Sequence, residues 1–227
     1  MLLVGLTGGI ACGKSTVSTL LLQAGIPVLD ADKLARDVVQ PGRWGYRRVV
    51  RAFGPSILRS DGQVDREALA SLVFSDAAAR HRLNAATHPA VGLALAQRIL
   101  LSWLRCEPLL VVDMPLLFES GFHRFCWPRV LVACSPQTQA ARLAARDGLP
   151  AAAVEARLAA QMPLAAKRRL ASMVLDNDGS REQLAVQVEA LVAALRQRVW
   201  AHRFLLSPPG LLAGATSVAA AWVWWWR

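Results

Sequence analysis

Short, nearly unbroken apolar runs recur along this chain, each stopping at glycine or polar residues. They are Leu2-Leu3-Val4-Gly5-Leu6-Thr7, Ile26-Pro27-Val28-Leu29, Leu109-Leu110-Val111-Val112, Arg129-Val130-Leu131-Val132-Ala133 and Met173-Val174-Leu175. Runs this short and this apolar predict strands buried on both faces. Between them the spacing turns helical. Helices are predicted over 15–24, ended by Gly25, over 137–146, from the break Gly148-Leu149-Pro150 to about 161, and over 182–198 as a long amphipathic helix. The stretch from 33 to about 107 is mostly helical, with breaks at Pro41-Gly42, Gly54-Pro55, Asp61-Gly62 and His88-Pro89, the last ending a helix. Strands alternating with helices predict an α/β fold, a parallel sheet flanked by helices with a helical insertion over 33–107. Ser207-Pro208-Pro209-Gly210 separates the body, 1–207, from a distinct tail, 208–227.

The first loop carries the clearest chemistry. Gly8-Gly9-Ile10-Ala11-Cys12-Gly13-Lys14-Ser15 matches G-x-x-x-x-G-K-[ST] at every fixed position, after a strand and opening a helix. Glycines let the backbone curl until its N–H groups converge on an anion, and the helix that follows adds its positive end. Lys14 is expected on the β- and γ-phosphates of a nucleotide, and the Ser15 hydroxyl on Mg²⁺. This makes the fold class that of the P-loop NTPases and the activity an ATP-dependent phosphotransfer.

Other candidates take their meaning from that loop. Asp113 ends an apolar strand, where a second ligand of the magnesium is expected; a strand-end cap is the plain alternative. Asp30 and Asp32 follow the second strand and suit both a base for an attacking hydroxyl and an N-cap pair. Arg142 and Arg146 lie one helical turn apart, fitting a lid that neutralises phosphate charge and equally a solvated basic face. No Ser/His/Asp or Cys/His constellation supports nucleophilic hydrolysis. Asp176 to Gly179 has the D-x-x-G form of GTPases but falls too late, with no N-K-x-D after it.

Composition narrows the partners. The chain of 227 residues is 54% hydrophobic and 19% charged, which excludes disorder and allows a real core. A formal net charge of +10 suits anionic partners, yet no compact basic run or nucleic-acid motif is present, so no nucleic acid is expected to bind. Cys12, Cys106, Cys126 and Cys134 lack metal-ligand spacing and read as free thiols of a reducing compartment, with Cys12 in the loop expected to be accessible. The apolar N-terminus runs straight into the phosphate loop and does not read as a secretory signal.

Taken together, these stretches resemble the dephospho-CoA kinase family. The likeness is carried by Gly5-Leu6-Thr7-Gly8-Gly9-Ile10 through Lys14-Ser15-Thr16-Val17, by Val28-Leu29-Asp30-Ala31-Asp32 with Ala35-Arg36, and by Val39-Gln40-Pro41-Gly42. It continues through Phe53-Gly54, Asp61-Gly62-Gln63-Val64-Asp65-Arg66, Leu83-Asn84 with His88-Pro89, and Asp113-Met114-Pro115-Leu116-Leu117-Phe118-Glu119. Gln139 to Arg146, Gln161 and Asp176-Asn177 complete it. Cys12 and Met114 depart from the usual small and branched residues there. The resemblance implies a nucleotide-binding sheet, a helical CoA-binding insertion and a lid over 137–161, with ATP, Mg²⁺ and dephospho-CoA as the molecules bound. It implies the residues 8–16 and Asn177 around the nucleotide, Thr16 included, with Arg142 on the phosphates. It implies Asp32 as base for the ribose 3′-hydroxyl, with Arg66, His88 and Pro89 on the substrate side. A catalytically weak, membrane-tethered binder of nucleotide or CoA, and a kinase for another small hydroxyl substrate, are the alternatives; retention of Lys14, Ser15, Asp32, Asp113 and Arg142 favours activity.

The tail stands apart. Residues 210–226 contain no charge and end in Trp222, Trp224, Trp225 and Trp226, with Arg203 and Arg227 outside them. A crossing helix needs ~20 apolar residues, so the segment is borderline, and its tryptophans suit a membrane interface. Gly210 and Gly214 add a weak helix-pairing signal. The tail is similar to the apolar C-terminus of the family's animal members. It is expected to be a membrane anchor with the enzyme on the cytosolic side, in the manner of mitochondrial outer-membrane tails, or else a helix packed on the enzyme.

Overall fold

The computed structural model describes residues 1–202, and the tail lies outside the described residues. Strands β1 (Leu2–Gly8), β2 (Val28–Asp30), β3 (Leu109–Asp113), β4 (Arg129–Ala133) and β5 (Met173–Asp176) form one parallel sheet in the order β2-β3-β1-β4-β5. Every residue of β3 is buried, as a strand covered on both faces requires. The register sets Leu6 of β1 opposite Asp113 of β3, and Gly8 opposite Val132 of β4. Helices α1 (Lys14–Gln23) and α9 (Arg181–His202) cover one face. Val17 and Leu21 of α1 share a buried cluster with Leu184, Val188, Leu191 and Leu195 of α9, spaced as one helical stripe. Each such side chain, fully buried, stabilises the fold by about 1.5–3 kcal/mol.

The chain divides into two compact units, one of Met1–Leu29 with the chain from Ser102 onward, the other of Asp30–Leu101. Helices α6 (Pro136–Asp147), α7 (Ala151–Ala159) and α8 (Leu164–Leu170) belong to the first. The second contains α2 (Ala31–Asp37), α3 (Trp44–Phe53), α4 (Arg66–Ser75) and most of α5 (Ala77–Leu104). Its core joins Val49 of α3, Ile57, Val64, Leu69 of α4 and Ala86 of α5. Asp65 caps α4 by accepting the amides of Glu67 and Ala68.

Several elements differ from the sequence pattern for local reasons. The second strand starts at Val28 rather than Ile26, because the Ile26 amide still bonds Leu21 O at the end of α1. Asp76 opens a new helix by accepting the amide of Ala78, a break the apolar pattern concealed. The interval before β5 holds α8, too short to show a period.

The largest correction concerns His88-Pro89, which does not end a helix: α5 runs unbroken across Pro89. Proline has no N–H to give the carbonyl four residues back and normally breaks a helix interior. Here Arg48 of α3 supplies the missing donors, with Nη2 to Ala85 O at 2.8 Å and Nε to Ala86 O at 3.0 Å. Ala85 is the residue four before Pro89. A guanidinium from a neighbouring helix thus takes over the orphaned acceptor.

Arg48→Met is expected to lower stability by about 1.5–3 kcal/mol, the usual worth of hydrogen bonds from a charged donor. In a Pro89→Ala background the same change should cost less, since a backbone amide then reaches Ala85 O. Urea denaturation of the two singles and the double measures the coupling, and strictly additive losses would contradict it.

Candidate active site

The phosphate loop joins β1 to α1 with the backbone curl its glycines foretell. Gly13 sits at φ 85° and Ala11 at φ 58°, both left-handed, a conformation costly for alanine and of the kind held at ligand-gripping turns. A Cβ on Gly13 would collide with Asn177 Nδ2. A Cβ on Gly9 would stand 2.6 Å from Gln139 Nε2 and 2.8 Å from Leu164 Cδ1. Side chains therefore pack closely against the loop at Gly9 and Gly13, where any Cβ would have to displace them.

Those side chains also satisfy the loop's own polar groups. Gln139 Nε2 donates to Ile10 O at 2.9 Å, and the Ile10 amide donates to Gln161 Oε1 at 3.2 Å. Asn177 Nδ2 donates to Cys12 O at 2.9 Å, while Asn177 O accepts from Arg142 Nη1 at 2.8 Å. The turn bearing Asn177 is itself pinned, because Asp178 accepts the Ser135 amide on both oxygens at 2.8 Å. Bonds from Ser135 and Thr138 hold the Asp178 carboxyl down to about 2.

At the end of β3, Asp113 is 4% exposed. Lys14 Nζ pairs with its Oδ1, and Ser18 Oγ donates to its Oδ2 at 2.6 Å. Lys14 and Ser18 are one turn apart on α1, so a single helix face holds both oxygens.

An open cavity of about 410 Å³ lies along the loop and is lined by Ala11, Gly13, Ser15, Thr16, Arg142, Arg146, Asn177 and Arg181. Loop amides, a helix N-terminus and three guanidiniums make it a receptor for polyanions. Arg146 also pairs with Asp147, at 2.8 Å, and Arg157 of α7 pairs with the same carboxylate.

Residues 2–183 match the family model for dephospho-CoA kinase. The chain belongs to the dephospho-CoA kinase family. A dephospho-CoA kinase domain-containing protein of Danio rerio is 45% identical over 196 residues, covering 86% of this chain and 86% of the relative. A dephospho-CoA kinase of Arabidopsis thaliana is 44% identical over 218 residues, covering 96% of this chain and 94% of the relative. Among solved structures, a crystal structure of a Thermus thermophilus protein matches with a TM-score of 0.73 at 39% identity, over 86% of this chain and 97% of that one.

The remaining family residues lie in the helical unit. Asp30 is the N-cap of α2, accepting the Lys33 amide at 2.9 Å. Asp32 lies in the first turn of that helix and is exposed. The pair is therefore split: Asp30 is committed to capping, and its neighbour is not the cap. Arg66 opens α4, and His88 and Pro89 are exposed on α5.

Some residues of this dephospho-CoA kinase family site had no signal in the pattern. Ser18 looks like any helical serine, and Arg181 like any helix-start arginine. Lys167 is fully buried and bonds the segment after β3. One clue existed, since lysine occurs only at positions 14, 33 and 167 in an otherwise arginine-based chain.

Cys12 corrects another expectation. Its side chain is 0% exposed and packs against Cys134, with the sulfurs 3.2 Å apart. Burial pushes the Cys12 thiol up, and burial together with the hydrogen bond to Cys12 pushes Cys134 up to about 12. Only the thiolate reacts, so a raised pKa delays reaction until the pH exceeds the ordinary thiol range. Exposed Cys106 should therefore be alkylated by iodoacetamide first near neutral pH, with Cys12 slower by about 10-fold or more and gaining as pH rises. Peptide mapping by mass spectrometry reads the order; Cys12 labelled ahead of Cys106 would refute the buried placement.

Proposed function

We propose that this chain transfers the γ-phosphoryl group of ATP to the ribose 3′-hydroxyl of dephospho-CoA, giving ADP and coenzyme A. The observation that carries the reading is the intact phosphate loop, with Lys14 and Asp113 in contact, in a chain that matches the family over 2–183. The 3′-oxygen attacks the γ-phosphorus as the bond to the β–γ bridging oxygen breaks. ADP leaves with that electron pair, and the hydroxyl proton passes to Asp32.

The chain's own residues supply position and charge. Gly8, Gly9, Ile10, Ala11, Cys12, Gly13 and Thr16 surround the phosphates, and Asn177 holds the loop in its curl. Lys14 leaves its resting partner Asp113 for the β- and γ-oxygens, and Arg142 approaches them from α6. Arg66, His88 and Pro89 belong to the acceptor's side of the reaction. The hydroxyl of Ser15 and the carboxylate of Asp113 are hard oxygen donors of the kind Mg²⁺ selects, and each Asp113 oxygen is already oriented by a donor from α1. Bound there, Mg²⁺ would neutralise charge on the transferring group.

Lys14→Ala is expected to slow phosphorylation of dephospho-CoA by about 10²-fold or more. Asp32→Asn, nearly isosteric, should lower kcat by about 10²- to 10⁴-fold with little change in ATP affinity. A coupled ADP-release assay against dephospho-CoA and a panel of nucleosides tests both. Full rate in Lys14→Ala would end the kinase reading, and equal losses of rate and ATP affinity in Asp32→Asn would move Asp32 to the metal.

In the same reading the tail, 208–227, tethers the enzyme to a membrane with its body on the cytosolic side, in the manner of mitochondrial outer-membrane proteins. Its uncharged stretch over 210–226 and terminal tryptophans support this. Among the described residues no helix is long and apolar enough to cross a membrane. The full chain should resist alkaline carbonate extraction, and a chain ending at Ser207 should not. Complete release of the full chain would exclude the anchor.

A further inference from the structure

A fully buried lysine is the least expected group in this protein. Lys167 is 0% exposed, the one buried residue of α8, while its neighbours Arg168 and Arg169 are exposed. A buried ammonium is tolerated only when its donors are used. Lys167 Nζ is 2.8 Å from Glu119 Oε1 and donates to Pro115 O at 3.2 Å. Pro115 is two residues beyond Asp113, and its carbonyl also accepts the Thr7 hydroxyl at 2.9 Å. Glu119 Oε1 in turn accepts the Met162 amide at 3.2 Å, one residue after Gln161, which holds Ile10 of the loop. Between Gln161 and Lys167 the chain therefore grips the phosphate loop with one side chain and the segment after β3 with another.

We propose that Lys167 is a positioning residue for phosphoryl transfer: it fixes segment 114–119, and so the direction of the Asp113 carboxylate, relative to the phosphate loop. The inference rests on the phosphotransferase reading of the site. An ion pair kept only for stability has a different signature: with Lys167 buried and Glu119 exposed, it loses little or nothing when replaced whole by apolar residues. A lysine suits this place better than the arginine used elsewhere, since one compact point of charge must serve a carboxylate and a carbonyl together.

The test separates the two roles. Lys167→Met takes the donor from Pro115 O and from Glu119, whose carboxylate is exposed to water, and should lower the melting temperature only modestly. The pair Lys167→Met with Glu119→Leu leaves no unpaired carboxylate and should recover that loss. Its kcat should stay down by about 10-fold, and its Mg²⁺ half-saturation for ATP binding, read by calorimetry, should rise by a similar factor. Amide hydrogen exchange over 114–119 in the nucleotide-free chain should quicken. Thr7→Val removes the other bond to Pro115 O without touching charge and should shift the Mg²⁺ half-saturation the same way, by about 3-fold. Recovery of kcat along with stability in the paired variant, or no shift in Thr7→Val, overturns the proposal. Because the calorimetry needs no acceptor, altered Mg²⁺ dependence in a chain that fails to phosphorylate dephospho-CoA would sink the substrate assignment and leave Lys167's role standing.

Discussion

A phosphate loop must turn its amides outward, and that leaves carbonyls on its inner side without partners. Here Ile10 O and Cys12 O are taken by Gln139 and Asn177, and the Ile10 amide by Gln161. These partners come from α6, from the turn after β5 and from the chain before α8, all remote in sequence. Much of the first unit can be understood as the frame that delivers them. Unpaired buried groups of this kind cost about 1–3 kcal/mol each, so the anion receptor and the fold's polar satisfaction are one problem.

The same frame ties α6 to the loop through a relay of hydrogen bonds. Arg142 lies in the cavity wall yet also bonds Asn177 O, whose side chain holds Cys12 O. An arginine drawn onto phosphate oxygens would trade that carbonyl for a stronger, charge-assisted bond. Arg146 and Arg157 share Asp147 at the junction of α6 and α7, which ties the corner between those helices. Helix α6 and the loop are therefore joined through Asn177.

In the helical unit, the problem is again an orphaned acceptor. Pro89 strips an amide from α5, and Arg48 answers with two donors from α3. The helix stays intact, presenting His88 and Pro89 on one continuous surface rather than at a frayed end. The Arg48 guanidinium also lies over the Trp44 ring at 5.0 Å, so it stacks as well as donates.

Much of this was legible in one dimension. The strands are short apolar runs because each is buried on both faces, and the loop is recognisable because its glycines and lysine serve local geometry at fixed spacing. Asp113 was legible for the same reason, as the polar end of an apolar run. What stayed hidden depends on contacts between distant segments. No local periodicity distinguishes Ser18 from its solvated neighbours, and only the scarcity of lysine hints at Lys167, since each owes its role to an acceptor far along the chain, 95 residues away for Ser18 and 52 for Lys167. Pro89 misled for a complementary reason: its rule concerns a helix with no outside donor, and Arg48 is 37 residues from the carbonyl of Ala85. Local periodicity records which face is buried, whereas the partner of a buried polar atom is decided only when the chain closes on itself.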